Sequence, residues 1–223
     1  MNPLAITDFY RDNEQLERFW IYGMLVAGKN SDWAAPKIEE MFRDKPADVT
    51  PLQWLKENDQ DLENKLVAHR VGNYRDTMRG LRDSYDLDLR TATVEQLEGV
   101  HKIGPKTARF FILHSREGVE DVLPLDTQWM KFLREHGATD KHQTPSGRRR
   151  KDGSSAYTDL ERVAIALARR YYPGLALADI DLILWARYSG RLEFDLPEPV
   201  LPGEPEEVVT DHHDDRWSDR LDR

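Results

Sequence analysis

Two residues in this chain combine a reactive type with a suggestive setting: Lys106 in the stretch KIGPKTARFF (102–111) and Asp126 in LPLDTQ (123–128). Pro105 suits the first position of a helix, where its missing N–H costs nothing, and Gly104 before it can take the dihedrals of a tight turn. The helix that follows starts with unpaired amides and has Lys106 in its first turn. Such an end attracts phosphate and disfavours a cation, so one geometry can hold a nucleic-acid backbone and favour the neutral amine a nucleophile needs. Asp126 opens a second helix, where its carboxylate could stabilise developing positive charge or accept a proton. Taken singly, Lys106 reads as an exposed helical lysine and Asp126 as an N-cap. Their joint spacing, with the hairpin between, points to catalysis.

The elements that must position these residues are helices. Leu16, Phe19, Trp20, Met24 and Leu25 recur at helical spacing, as do Ile38, Met41 and Phe42. Thr50 and Pro51 form a cap and first-turn pair, 60–70 repeats the pattern with Leu62, Leu66 and Val67, and Tyr74, Met78, Leu81 and Tyr85 continue it. Thr93 with Gln96 predicts a capping box for the short helix TVEQLEGV, which runs into the hairpin HKIG and then PKTARFFILHS. After Asp126 come TQWMKFLREH, a basic loop, TDLERVAIALARRYY stopped by Pro173 and Gly174, and ADIDLILWARYS stopped by Gly190. No segment reads as a strand. Trp33, Trp54, Trp129 and Trp185, like Phe110 and Phe111, sit in helical patterns and are expected in the core.

The 223 residues contain no cysteine, which excludes disulfides, thiolate metal sites and cysteine-ligated clusters. His101 and His114 lack metal-ligand spacing, so no metal site is assigned. The N-terminus has no signal-peptide pattern and no stretch approaches a membrane span, so a cytoplasmic protein without membrane contact is expected. A net charge of −9 argues against a nucleic-acid ligand, yet residues 196–223 carry −6 of it. Within the body, Lys141, Arg148, Arg149, Arg150 and Lys151 form a basic loop just beyond the Asp126 helix, which leaves room for a local basic face. The proline-rich acidic ending reads as a disordered tail.

VHKIGPKTARFF followed by VLPLDT resembles the signature of the helix-hairpin-helix DNA glycosylase superfamily, which includes endonuclease III and 8-oxoguanine glycosylase. The likeness covers most of residues 14–135 and, more loosely, the helices up to 190. It implies an all-α, two-lobed fold with the active-site cleft between lobes. One lobe is 28–118, a helical barrel containing the motif (93–115); the other joins 1–27 to 119–195, and 196–223 is the tail. In the family the catalytic lysine falls at Lys106 and the invariant aspartate at Asp126. The resemblance implies backbone-phosphate contacts from Lys102, Ile103, Gly104 and Thr107, with Gln128, Arg148 and Arg149 also facing DNA. Lys29 and Asn30 would fill the gap left by an extruded base. It implies a monomer acting on duplex DNA with a damaged or modified base, without a cofactor other than a monovalent cation at the hairpin.

Two positions depart from the pattern. Lys102 stands where the hairpin usually has its first glycine, and Gln128 where histidine is frequent. The implied activity is a bifunctional glycosylase and AP lyase working through a lysine Schiff base, with 8-oxoguanine as the first substrate by analogy. Arg70, Asn73, Tyr74, Asp179, Asp181 and Trp185 are candidates for the base pocket. Two alternatives stand beside it: a phage-type relative that hypermodifies thymine in DNA, and a binding module that has kept the hairpin and lost catalysis.

Overall fold

The structure, a computed structural model, describes residues 6–26, 31–190 and 199, without the side chains of 31–33. The helices are α1 (Asn13–Val26), α2 (Ser31–Met41), α3 (Pro51–Glu57), α4 (Leu62–Ala68), α5 (Tyr74–Ser84), α6 (Val94–Gly99), α7 (Pro105–Ser115), α8 (Thr127–Glu135), α9 (Ala156–Tyr171) and α10 (Leu177–Ser189), with a 3-10 turn at Asp59–Asp61. The described residues contain no strand, and none of their helices is long and apolar enough to cross a membrane.

Local sequence explains most helix starts. Thr50 accepts the Gln53 amide with Pro51 in the first turn, and Thr93 and Gln96 close the expected capping box. A second capping box, Ser155 with Thr158, starts α9 two residues earlier than its apolar pattern suggests. Val67 departs from its expected place in a buried stripe. Leu62 and Leu66 already form the inward face of the short α4, and Val67 is left 48% exposed.

The buried side chains form two clusters. In the first, Phe19, Trp20, Met24 and Leu25 of α1 meet Ile38, Leu55, Leu66, Leu81, Leu97 and Phe111 from the surrounding helices. The ring of Phe111 stands edge-on to Trp20 at 5.0 Å, and the Trp20 indole N–H donates to the buried Ser84 hydroxyl at 2.9 Å. In the second, Trp129, Phe132 and Leu133 of α8 pack with Tyr157, Ala164 and Ala168 of α9 and Ile180 and Leu184 of α10. The apolar face of α1 is thus buried among residues of 34–112. Its Phe19 and Trp20 meet the rings of Phe110 and Phe111 on α7.

Helix α7 belongs to both clusters, with Phe111 and Ile112 in the first and Leu113 in the second. A buried ion triad fastens it further. Arg109 on α7, only 4% exposed, donates to Glu98 of α6 and Glu161 of α9, each at 2.5 Å, and stacks over Tyr157 at 4.6 Å. Burial pushes the Glu161 carboxyl pKa up, and Arg109 opposes that shift. Glu161 also accepts the Leu123 amide at 2.8 Å, and the Tyr157 hydroxyl accepts from the Leu125 amide at 2.7 Å. The chain leading into Asp126 is therefore held by the same groups that anchor the Lys106 helix.

Candidate active site

The hairpin between α6 and α7 is a turn of Val100 to Ile103, closed by the Ile103 amide donating to the Val100 carbonyl at 3.0 Å. Its third residue must take positive φ, and that residue is Lys102, at φ +72. The unusual dihedrals expected at Gly104 therefore fall on Lys102; Gly104 is extended, at φ −99 and ψ 176. A left-handed conformation costs a non-glycine residue about 1–2 kcal/mol, so contacts must hold it there. Lys102 Nζ donates to Thr77 Oγ1 of α5 at 3.0 Å, and the His101 amide donates to Asp83 at 2.9 Å. His101 Nε2 lies 3.0 Å from Asp76 Oδ1. Gly80 lets α5 come this close: a Cβ there would lie 2.6 Å from the His101 carbonyl oxygen.

The hairpin residues named from sequence accordingly divide. Ile103 is buried and its amide closes the turn, so both its side chain and its N–H are engaged in holding the motif. Lys102 extends its amine toward α5. Gly104 supplies no side-chain cap to α7, which leaves the Lys106 and Thr107 amides without an intrahelical acceptor at the positive end of the helix. Thr107 packs against Gly23 of α1, its Cγ2 3.6 Å from where a Cβ would stand. Lys106 is exposed.

Asp126 caps α8. Its Oδ1 accepts the amides of Gln128 at 2.8 Å and Trp129 at 3.0 Å, and among the described residues Oδ2 accepts no hydrogen bond. Its pKa is raised, first by burial and then by the charge of Asp181, against the opposing pull of Lys106 and the two amides. The structure thus brings the Lys106 amine and the Asp126 carboxyl, from the N-termini of α7 and α8, within electrostatic reach of each other.

Behind Asp126 lies a polar chain that sequence reasoning missed. Trp129 gives its backbone N–H to Asp126 and its indole N–H to Asp181 Oδ1, the latter at 2.5 Å. Asp181 Oδ2 lies 3.0 Å from Nε2 of the fully buried His114, whose Nδ1 is 2.7 Å from the Thr7 hydroxyl. The two oxygens of Asp181, a base-pocket candidate from sequence, are thus engaged by Trp129 and His114. Asp179 is exposed in the first turn of α10. Arg70 and Asn73 occupy left-handed positions in the turn before α5, and Tyr74 begins that helix, partly buried against the first core. Trp185 is partly buried on α10. Next to Asp126, the buried Gln128 Oε1 has no hydrogen-bond partner.

Of the basic-loop residues, Arg148 is exposed, whereas Arg149 reaches Glu95 at 2.9 Å and Glu98 at 3.5 Å on α6. Lys29 and Asn30 lie outside the described residues. Among the described residues no group of three or more His, Asp or Glu side chains converges as metal ligands would.

No family model matches the chain, and neither does any curated protein. Solved structures do. The crystal structure of the Methanocaldococcus jannaschii 8-oxoguanine glycosylase/lyase in complex with 15mer DNA containing 8-oxoguanine superposes with a TM-score of 0.60 at 17% identity, over 84% of this chain and 87% of that one. The crystal structure of the 8-oxoguanine DNA glycosylase of the same organism gives 0.58 at 17% identity, over 83% and 84%. Identity this low speaks to architecture alone. The ten described helices and this extent of superposition show that the chain shares the fold of these two 8-oxoguanine glycosylase structures.

Proposed function

We propose that the protein is a bifunctional DNA glycosylase and AP lyase that flips a damaged base out of the duplex and removes it through Lys106. The observation that carries this reading is the Asp126 carboxyl: partly buried, capped on one oxygen only, and electrostatically coupled to an exposed amine at the start of α7. A stacked base hides its glycosidic bond, so the nucleotide must leave the helix before chemistry can begin. As the C1′–N bond lengthens, positive charge develops on the sugar, and the Asp126 carboxylate stabilises it. Lys106 Nζ forms a bond to C1′ while the electron pair of the glycosidic bond leaves with the base, which takes up a proton. Asp126 accepts the proton released by the amine. Opening of the sugar ring at O4′ then yields an imine, and loss of a C2′ proton expels the 3′ phosphate. The unpaired amides of Lys106 and Thr107 offer donors to backbone phosphate, and Gln128 Oε1 offers an acceptor to the extruded nucleotide.

The substrate proposed is 8-oxoguanine in double-stranded DNA, supported by what the two solved structures are described as acting on. A panel of duplexes carrying 8-oxoguanine, other oxidised or deaminated bases, or an abasic site tests this directly. Strand scission and a borohydride-trapped adduct on the 8-oxoguanine duplex are expected. Scission of the abasic duplex alone would replace the base assignment, and silence on every duplex, despite binding, would point to a DNA-binding or base-modifying role.

A further inference from the structure

The loop joining α8 to α9 touches α6, the start of α7 and the residue before Asp126. Thr144 Oγ1 donates to the carbonyl of Leu125, the residue before Asp126, at 3.1 Å. Gly147 lies on the ring of Pro105, the residue before Lys106, so closely that a Cβ on it would fall 2.1 Å from Pro105 Cγ. Arg149 then pairs with Glu95 and Glu98 on α6, before the hairpin. Glu98 is also a member of the Arg109 triad, so this anchor is continuous with the buried framework of α7. Between the last two anchors stands Arg148, exposed and meeting no carboxylate among the described residues.

We propose that residues 144–149 form a strap latched across the hairpin by Arg149, and that the latched strap presents Arg148 to the sugar-phosphate backbone of duplex DNA beside the α7 N-terminus. Arg149 is then a positioning residue, and Arg148 is the phosphate ligand. Two observations favour attraction over occlusion. The latch neutralises Glu95 and Glu98, carboxylates of α6 that would repel phosphate. It also adds Arg148 to the exposed Lys106 at the start of α7. The proposal rests on the DNA-directed reading above and not on its chemistry.

The test compares variants for which plain electrostatics and the latch make different predictions. Removing an acidic charge should, by itself, strengthen DNA binding. The latch requires the opposite for Glu95→Gln, an affinity about two- to five-fold weaker, the worth of a surface ion pair. Gly147→Ala alters no charge and forces the strap off Pro105, so it should weaken binding in the same sense. Arg148→Gln should weaken binding and lower the dependence of log affinity on log salt by about one unit. Arg149→Lys, which keeps a positive charge facing Glu95 and Glu98, should retain most of the wild-type affinity. Binding is read by fluorescence anisotropy on an undamaged duplex, with amide hydrogen exchange over 144–150 reporting release of the strap in Glu95→Gln and Gly147→Ala. Tighter binding by either of those two variants would overturn the proposal, as would unchanged exchange in both. A protein that binds duplex with this pattern yet excises nothing would refute the catalytic reading and leave the strap standing.

Discussion

On the proposed reading Asp126 performs two tasks, capping and catalysis, that a single substitution can separate. Asparagine caps a helix as well as aspartate, so Asp126→Asn should keep the bonds to the Gln128 and Trp129 amides while removing the charge. Base removal should slow by about 10²–10³-fold, the usual cost of losing an electrostatic stabiliser. Stability should move the other way. Because the folded pKa of Asp126 is raised above 3.8, its contribution to stability is full below that value and is lost as the pH rises through the folded pKa. Asp126→Asn should therefore melt above the wild type at pH 7, with the gap closing as the pH falls toward 3.8; thermal melts across that range check this. A lower melting point at pH 7 would show that the negative charge itself supports the fold. The cap was legible in the sequence because it is local: an aspartate, a threonine and an amphipathic run. The Asp181–His114 contact was not, since the two residues are 67 positions apart and the partnership is made only by tertiary packing. Asp179 and Asp181 read alike in sequence, and the phase of α10 alone turns the second inward.

At the scale of elements, the hairpin holds its shape because α5 lies against it. An alanine usually improves a helix relative to glycine by about 1 kcal/mol. At Gly80 it would place a Cβ 2.6 Å from the His101 carbonyl and 3.1 Å from Met24 Sδ, and overpacking of that kind costs about 1–3 kcal/mol. The clash wins. Gly80→Ala should lower the urea midpoint and, by displacing the turn, weaken duplex binding; a midpoint at or above the wild type would show that the hairpin does not depend on this contact. Capping signals at Thr50 and Thr93 made their helices readable, and Pro173 and Gly190 marked ends correctly. Gly80 gave no such signal, because the residues around it do not encode how near another helix comes. Lys102 was recognised as standing in a glycine's place, but the sequence could not say that Lys102 itself takes positive φ and that Thr77 receives its amine.

On the scale of the whole molecule, the proposed function requires an acidic chain to present one face to a polyanion. Residues 196–223 carry −6 of the −9 net charge, so deleting 200–223 should tighten duplex binding at low salt, the gain fading as salt rises. Affinity of the truncated and full chains across a salt series measures this, and weaker binding on truncation would contradict it. The two hydrophobic clusters meet along α7, and the Arg109 triad fixes that helix to α6 and α9 while Glu161 and Tyr157 fix the approach to Asp126. The architecture thereby keeps the Lys106 amine within electrostatic reach of the Asp126 carboxyl. The most direct test of that claim is borohydride trapping of Lys106→Gln and the wild type on an 8-oxoguanine duplex, with the adduct site read by mass spectrometry. The account predicts a wild-type adduct on Lys106, and no adduct for a Lys106→Gln protein that still binds the duplex. A trapped adduct in Lys106→Gln, or a wild-type adduct on another residue, would contradict it.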